Sequence, residues 1–181
     1  MALKPTIHKA QIELADSDRN HYESLSLTLA QHPSETSERM MARLVAFCLN
    51  HEYGLSFTRG ISTTDEPDIW CHSDSDELLS WIEVGQPDEA RLRKACGRSR
   101  TVLVYAFGSG ASTWWKINGD AISALPHTEV WQFPWEAIVA LTRTFLSRNL
   151  RLSVSIAGGT LYVDDGNASL QLTPARLTPC D

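Results

Sequence analysis

Residues 78–85 read Leu-Leu-Ser-Trp-Ile-Glu-Val-Gly, an apolar strand signal with a single acid inside it. Burying a carboxylate among apolar side chains is costly unless a metal ion or a cationic group pairs it. Glu83 therefore demands a partner, and the fold has to bring that partner to it. On an alternating strand Trp81, Glu83 and Gly85 share one face, while Ile82 and Val84 share the other. Gly85 leaves space beside Glu83, as a ligand site requires. The plain alternative is an edge-strand glutamate paired with an arginine.

The rest of the chain supplies the frame for that strand. Alternation over residues 4–16 and 21–31, around the turn chemistry of residues 16–20, predicts an opening hairpin. Ser34 is placed to cap a helix that runs to about Leu49. Short strand signals follow at 55–61 and just after Pro67-Asp68, then an exposed polar turn over 71–77. Leu78–Val84 is the central strand. Gly85 breaks it, Pro87 suits the first position of a helix, and Gly97 suits its end. Strands at 101–107 and 129–133 alternate with helices at 112–118 and 134–147. Strands at 150–156, 160–163 and 169–172 close the chain. The middle is an α/β pattern with parallel pairing. The two ends are β, and an isolated hairpin is marginal in water, so we expect both ends to share one antiparallel sheet.

With 181 residues, 43% of them hydrophobic, the chain suits one domain over residues 1–181. We expect a core at about 32–147 and an accessory sheet from 4–31 and 150–173. No apolar run is long enough to predict a transmembrane helix. Met1-Ala2-Leu3-Lys4-Pro5 lacks the apolar core of a signal peptide, so a cytoplasmic protein is expected. Cys48, Cys71, Cys96 and Cys180 show no Cys-x-x-Cys spacing, which argues against a structural zinc site and for free thiols. A net charge of −6 argues against a broad duplex-binding surface but leaves room for a local basic groove.

Two more acids are candidates to join Glu83. Glu38 recurs with Met41, Val45 and Cys48 at three- and four-residue steps, which extends the buried helix face toward its start. Glu35 lies one turn earlier. A salt-bridged acid at a helix start is the alternative for both. Asp68 follows Pro67, where ordinary turn chemistry is the alternative. Three carboxylates from a helix and two neighbouring segments suit a hard cation such as Mg²⁺ or Mn²⁺, and would then lie within roughly 8 Å of one another. Sharing a pocket without metal would raise at least one of their pKa values, Glu83 first.

The order helix-Glu, Pro-Asp, strand-Glu resembles the PD-(D/E)XK (restriction-endonuclease-like) nuclease superfamily. The whole chain resembles the YaeQ family more closely, through Asp18-Arg19-Asn20, His32-Pro33-Ser34-Glu35-Thr36, Glu38-Arg39-Met40-Met41, Phe57-Thr58-Arg59-Gly60, Asp65-Glu66-Pro67, Trp81-Ile82-Glu83, Pro87-Asp88-Glu89 and Lys94-Ala95-Cys96. The resemblance implies an α/β fold with a PD-(D/E)XK core and an accessory antiparallel sheet from the terminal strands. It puts the metal-binding acids on Glu38, Asp68 and Glu83. The superfamily's catalytic lysine stands two residues after the strand acid, and that position is Gly85 here. A lysine moved into the following helix falls on Lys94. Counting 100° per residue, however, Lys94 lies about 200° from Leu92 on the apolar stripe, and Arg91 is nearer. Both are also explained as solvated charges. The implied function is a metal-dependent phosphodiesterase using Mg²⁺ or Mn²⁺ on single-stranded or structured nucleic acid. The other class is a catalytically inactive binding or regulatory relative, in which Arg39, Arg59 or Arg91 would pair the acids. None of the histidines shows ligand spacing; His32 is read as a turn residue. Trp114 and Trp115 are read as packing residues in preference to base-stacking ones.

Overall fold

The computed structural model describes residues 4–59 and 63–180. In chain order its elements are β1 (Thr6–Asp16), β2 (His21–Gln31), α1 (Ser37–Asn50), β3 (Leu55–Phe57), β4 (Ile69–His72), β5 (Leu78–Val84), α2 (Glu89–Cys96), β6 (Thr101–Ala106), α3 (Ala111–Ser123), β7 (Thr128–Gln132), α4 (Trp135–Phe145), β8 (Asn149–Ala157), β9 (Thr160–Asp164), β10 (Ser169–Leu172) and β11 (Ala175–Arg176). The protein is a mixed α/β fold with two open sheets and, among the described residues, four helices.

Alternation at the two ends makes the first sheet. β1 buries Ala10, Ile12 and Leu14, and β8 buries Leu150, Leu152, Val154 and Ile156, while the intervening residues face water. Both ends do join one five-stranded sheet, in the order β10-β9-β8-β1-β2. It is mixed, not antiparallel as the sequence suggests, because β1 and β8 run parallel from Lys9↔Asn149 to Asp16↔Ile156. Parallel neighbours need a long crossover, and here everything between β2 and α4 supplies it.

The second sheet has six strands in the order β11-β7-β6-β5-β4-β3. β5, β6 and β7 are parallel, and β4 and β3 add antiparallel strands beyond β5. The sequence reading missed β11, which returns the chain to β7. β3 ends at Phe57, short of the expected 55–61; Gly60 and Ile61 lie outside the described residues. Cys71 and His72 belong to β4, so the polar turn is narrower than predicted.

Helices α1 and α4 lie between the sheets. The apolar cluster there includes Ile12, Leu152 and Val163 of the first sheet and Ile82, Val84 and Tyr105 of the second. α1 buries every residue from Met40 to Cys48. A helix buried all round has no single apolar stripe, which removes the basis for placing Glu38 by periodicity. On the far side of the second sheet, Trp81, Val102, Val104 and Val130 pack with Leu92 of α2 and Ile122 of α3. The two faces of β5 thus divide as the alternation predicts. Trp114 and Trp115 pack against this second cluster.

Two helix starts differ from expectation. Thr36, not Ser34, caps α1: its hydroxyl accepts from the Arg39 amide, and Ser34 Oγ is engaged with His32 Nδ1. Asp88 caps α2 by accepting from the Arg91 amide at 2.7 Å. Pro87 therefore lies outside the helix, where its carbonyl accepts from Trp114 Nε1. α3 is also longer than the predicted 112–118.

Candidate functional site

Beyond Val84 the chain leaves β5 through Gly85, which has φ +126° and open space around its Cβ position. The turn opens a cleft of about 420 Å³ between the start of α1, the start of α2 and the segment before β4. Arg39, Thr63, Thr64, Glu66, Asp68, Glu83, Gln86 and Arg91 are among the residues that line it.

Asp68 and Glu83 reach the cleft as neighbours. The Asp68 amide donates to Ile82 O at 3.1 Å, just ahead of the Ile69↔Ile82 pairing. Asp68 Oδ2 accepts from the Val84 amide at 2.8 Å, and Oδ1 accepts from Arg39 Nη2 at 2.7 Å. Both oxygens are thus held by donors. Glu83 is arranged differently. Its Oε1 accepts from Trp81 Nε1 and from Arg91 Nε, each at 2.7 Å, and no described residue donates to Oε2. The pairing with Trp81 follows from the strand, since residues two apart share a face.

Burial pushes the Glu83 carboxyl above its ordinary value; Arg91 opposes the rise and Asp68 adds to it. The direction is the one expected of acids sharing a pocket, but desolvation is the larger cause and repulsion the smaller.

Glu38 does not join this pair. It is half-buried on α1, does not line the cleft, and has no ion-pair partner among the described residues. The residues of α1 and its approach that point this way are Glu35, Arg39 and Arg43, four residues apart. Arg39 Nη1 donates to Glu35 Oε1 at 3.0 Å, and Arg43 grips both Glu35 oxygens at 2.7 and 2.8 Å. Arg43 and Glu35 side chains are 3% and 2% exposed, so this pair is walled off from water. The acid linked to the site from this element is Glu35, through Arg39, which also reaches Asp68. The Glu-x-x-x-Arg-x-x-x-Arg spacing carries that signal in the sequence.

Lys94 and Arg91 separate as the helical wheel suggests. Arg91 faces Glu83, whereas Lys94 Nζ reaches outward to Asp65 Oδ1 at 2.6 Å. Sequence reasoning missed Trp81 as a donor, Gln86, which donates to Phe107 O, and Thr63, whose Oγ1 is buried and has no partner among the described residues. No cysteine is among the described residues that line the cleft, and burial pushes the Cys48 thiol up to about 12.

The donor set suits a hard cation that keeps part of its hydration shell. One or two carboxylates with waters and phosphate oxygens are the usual Mg²⁺ environment, and the cleft offers Glu83 Oε2, Asp68 and the orphaned Thr63 hydroxyl. Among the described residues no group of three His, Cys, Asp or Glu side chains converges, so an all-protein cage is not what this site offers.

Residues 1–174 match the family model described as YaeQ protein. "Uncharacterized protein YaeQ" of Salmonella typhi is 40% identical over 176 residues, covering 96% of this chain and 97% of that protein. The Escherichia coli (strain K12) protein of the same description is 39% identical over 173 residues, covering 95% of each. Two crystal structures superpose closely: the YaeQ protein from Xanthomonas axonopodis pv. citri (TM-score 0.92, 40% identity, 97% of this chain and 99% of that one) and that from Pseudomonas syringae (TM-score 0.92, 36% identity, 97% of each).

Proposed function

The chain belongs to the YaeQ family, and from that premise we propose that its Asp68–Glu83 cleft is a divalent-cation-dependent phosphodiesterase site for nucleic acid on a PD-(D/E)XK-like core. The observation that carries the reading is the meeting of Asp68 and Glu83 in one cleft with Arg91. Arg91 comes from the helix that follows the strand acid. In this reading its guanidinium takes the part of a lysine relocated to that helix.

In this reading Asp68 and Glu83 would hold Mg²⁺ or Mn²⁺. When bound, the ion would supply a water of lowered pKa and neutralise charge on the phosphate. Arg91 and Arg39 orient the phosphodiester and balance its charge. Glu83, whose proton affinity is raised by burial, is the acid that gains most from a bound cation. At φ +126° an L side chain is strained at Gly85, which supports a reading in which no lysine stands there and Arg91 serves instead. The reading places the protein in the cytoplasm and favours single-stranded or structured substrates, since a net charge of −6 gives little non-specific duplex affinity. Among the described residues, no helix is long and apolar enough to cross a membrane.

The second reading, a catalytically inactive binding or regulatory protein, is favoured by one observation. All three nitrogens of the Arg91 guanidinium already donate to protein acceptors, at 2.6 to 2.7 Å. Cleavage of labelled single-stranded DNA and RNA with Mn²⁺ or Mg²⁺ separates the two. The phosphodiesterase reading expects weak, metal-dependent cleavage that Asp68→Asn and Glu83→Gln each abolish. Cleavage equal in wild type and both variants, or absent from all, contradicts it and leaves the inactive relative.

A further inference from the structure

Two basic residues of α2, Arg91 and Lys94, and Arg98 just after it converge on one short segment. Arg91 Nη1 donates to Thr64 O at 2.6 Å and Nη2 to Glu66 O at 2.7 Å. Lys94 Nζ donates to Asp65 Oδ1 at 2.6 Å, and Arg98 Nη1, from the turn after α2, to Asp65 O at 3.0 Å. Thr64-Asp65-Glu66 belongs to no helix or strand, and Thr64 and Glu66 form part of the cleft wall near Glu83. Three cations thus hold a row of oxygens on successive residues. Trp81 lies under two of them, its ring 5.9 Å from the Arg91 guanidinium carbon and 5.2 Å from that of Arg98. Stacking on an indole fixes the planes of both guanidiniums before any ligand arrives.

The contacts made by this row are weak for the cations involved. Three of the four acceptors are neutral carbonyls. The one charged acceptor, Asp65, is 71% exposed and its Lys94 partner 60%, and such surface pairs contribute little. A phosphodiester offers the same cations charged oxygens, and hydrogen bonds to a charged acceptor are roughly twice as strong as those to a neutral one.

We propose that residues 64–66 are a displaceable strap lying on an anion-binding stripe of Arg91, Lys94 and Arg98, and that the backbone phosphates of single-stranded nucleic acid take its place. The inference rests on the reading of the cleft as a nucleic-acid site. It adds the surface that binds the strand and the internal competitor that keeps affinity low. Displacing the strap removes one wall of the cleft, so strand binding and access to Glu83 become one event.

The test is fluorescence anisotropy of a short labelled single-stranded oligonucleotide, with metal chelated, across a salt series. Asp65→Ala removes the strap carboxylate that Lys94 holds, at an exposed position, and should tighten binding by about two- to fivefold. Lys94→Ala and Arg98→Ala should each weaken binding several-fold and lower the salt slope by about one. Asp65→Ala binding no tighter than wild type overturns the strap. So does undiminished binding by Lys94→Ala and Arg98→Ala, or no binding by wild type and Asp65→Ala alike. Because the assay contains no metal, the predicted binding series without any cleavage would contradict the phosphodiesterase reading and leave the strap intact. Cleavage without the series would do the reverse.

Discussion

The α1 wall of the cleft and the α2 wall use the same chemistry, guanidinium against oxygen, to opposite ends. On the α1 side Arg43, Glu35, Arg39 and Asp68 form a continuous chain of ion pairs in which the Glu35, Arg43 and Asp68 side chains are at most 3% exposed. Arg43 also donates to Ala30 O of β2, so the chain ties the first sheet to the cleft. On the α2 side the cations are 27% exposed at Arg91 and 60% at Lys94, and besides the carboxylates of Glu83 and Asp65 they hold neutral carbonyls. Buried pairs lose heavily when one member is removed, because the other is left charged and desolvated. Exposed pairs exchange partners with water or ligand at little cost. Burial, more than residue type, makes one wall scaffold and leaves the other free to bind.

The most damaging way to break that comparison is Arg43→Ala. It strands Glu35 in the interior and should lower unfolding free energy by about 3–5 kcal/mol, read from urea denaturation. A loss below about 1 kcal/mol would mean that Arg39 alone satisfies Glu35 and that the α1 wall is not a rigid frame.

Gly85→Lys comes next. A lysine at this position should cost about 1–3 kcal/mol, because φ is positive there, and should add no cleavage. A variant as stable as wild type, or more active, would show that the turn after β5 adapts to a side chain.

Glu83→Gln sharpens the comparison through pH. The folded-state pKa of Glu83 is raised, chiefly by burial. Folding therefore favours the protonated acid, and the associated stability is present below the unfolded-state pKa and lost as pH rises through the folded one. Gln cannot ionise yet still offers an oxygen to Trp81 and Arg91. The variant should gain on wild type as pH rises from the ordinary glutamate range through the folded-state pKa of Glu83. A pH-independent difference would place Glu83 in a better-solvated setting than the cleft provides.

The smallest stability effect belongs to Lys94→Ala, within about 0.5 kcal/mol of wild type in thermal unfolding. A larger loss would make the strap contact part of the scaffold and erase the distinction between the walls.

Much of this arrangement is legible in the sequence, for reasons that differ by element. Period-2 alternation placed β1, β2, β8 and β9, because each has one face on the core and one in water. Their parallel join at β1 and β8 was not legible, since register between distant strands depends on where α4 delivers the chain. Glu83 was legible as an acid in need of a partner, and the helical wheel pointed to Arg91 over Lys94. Asp68 was identified from Pro67-Asp68 and does reach the cleft. Glu38 was misplaced because α1 is buried on every side between two sheets, where a stripe of apolar residues cannot say which flank faces the cleft. Glu35, Arg39 and Arg43 carry that information through their four-residue spacing. The strap was illegible: nothing local in Thr64-Asp65-Glu66 announces that two cations of a later helix and one from the turn after it will hold it.

The central claim is that Asp68 and Glu83, although each is paired with an arginine, remain a cation site. Calorimetric titration of Mn²⁺ into the metal-free protein tests it most directly. Wild type should show one binding site that Asp68→Asn and Glu83→Gln each abolish and Glu38→Gln leaves intact. Binding that survives both cleft substitutions, or no binding by wild type, would contradict the account.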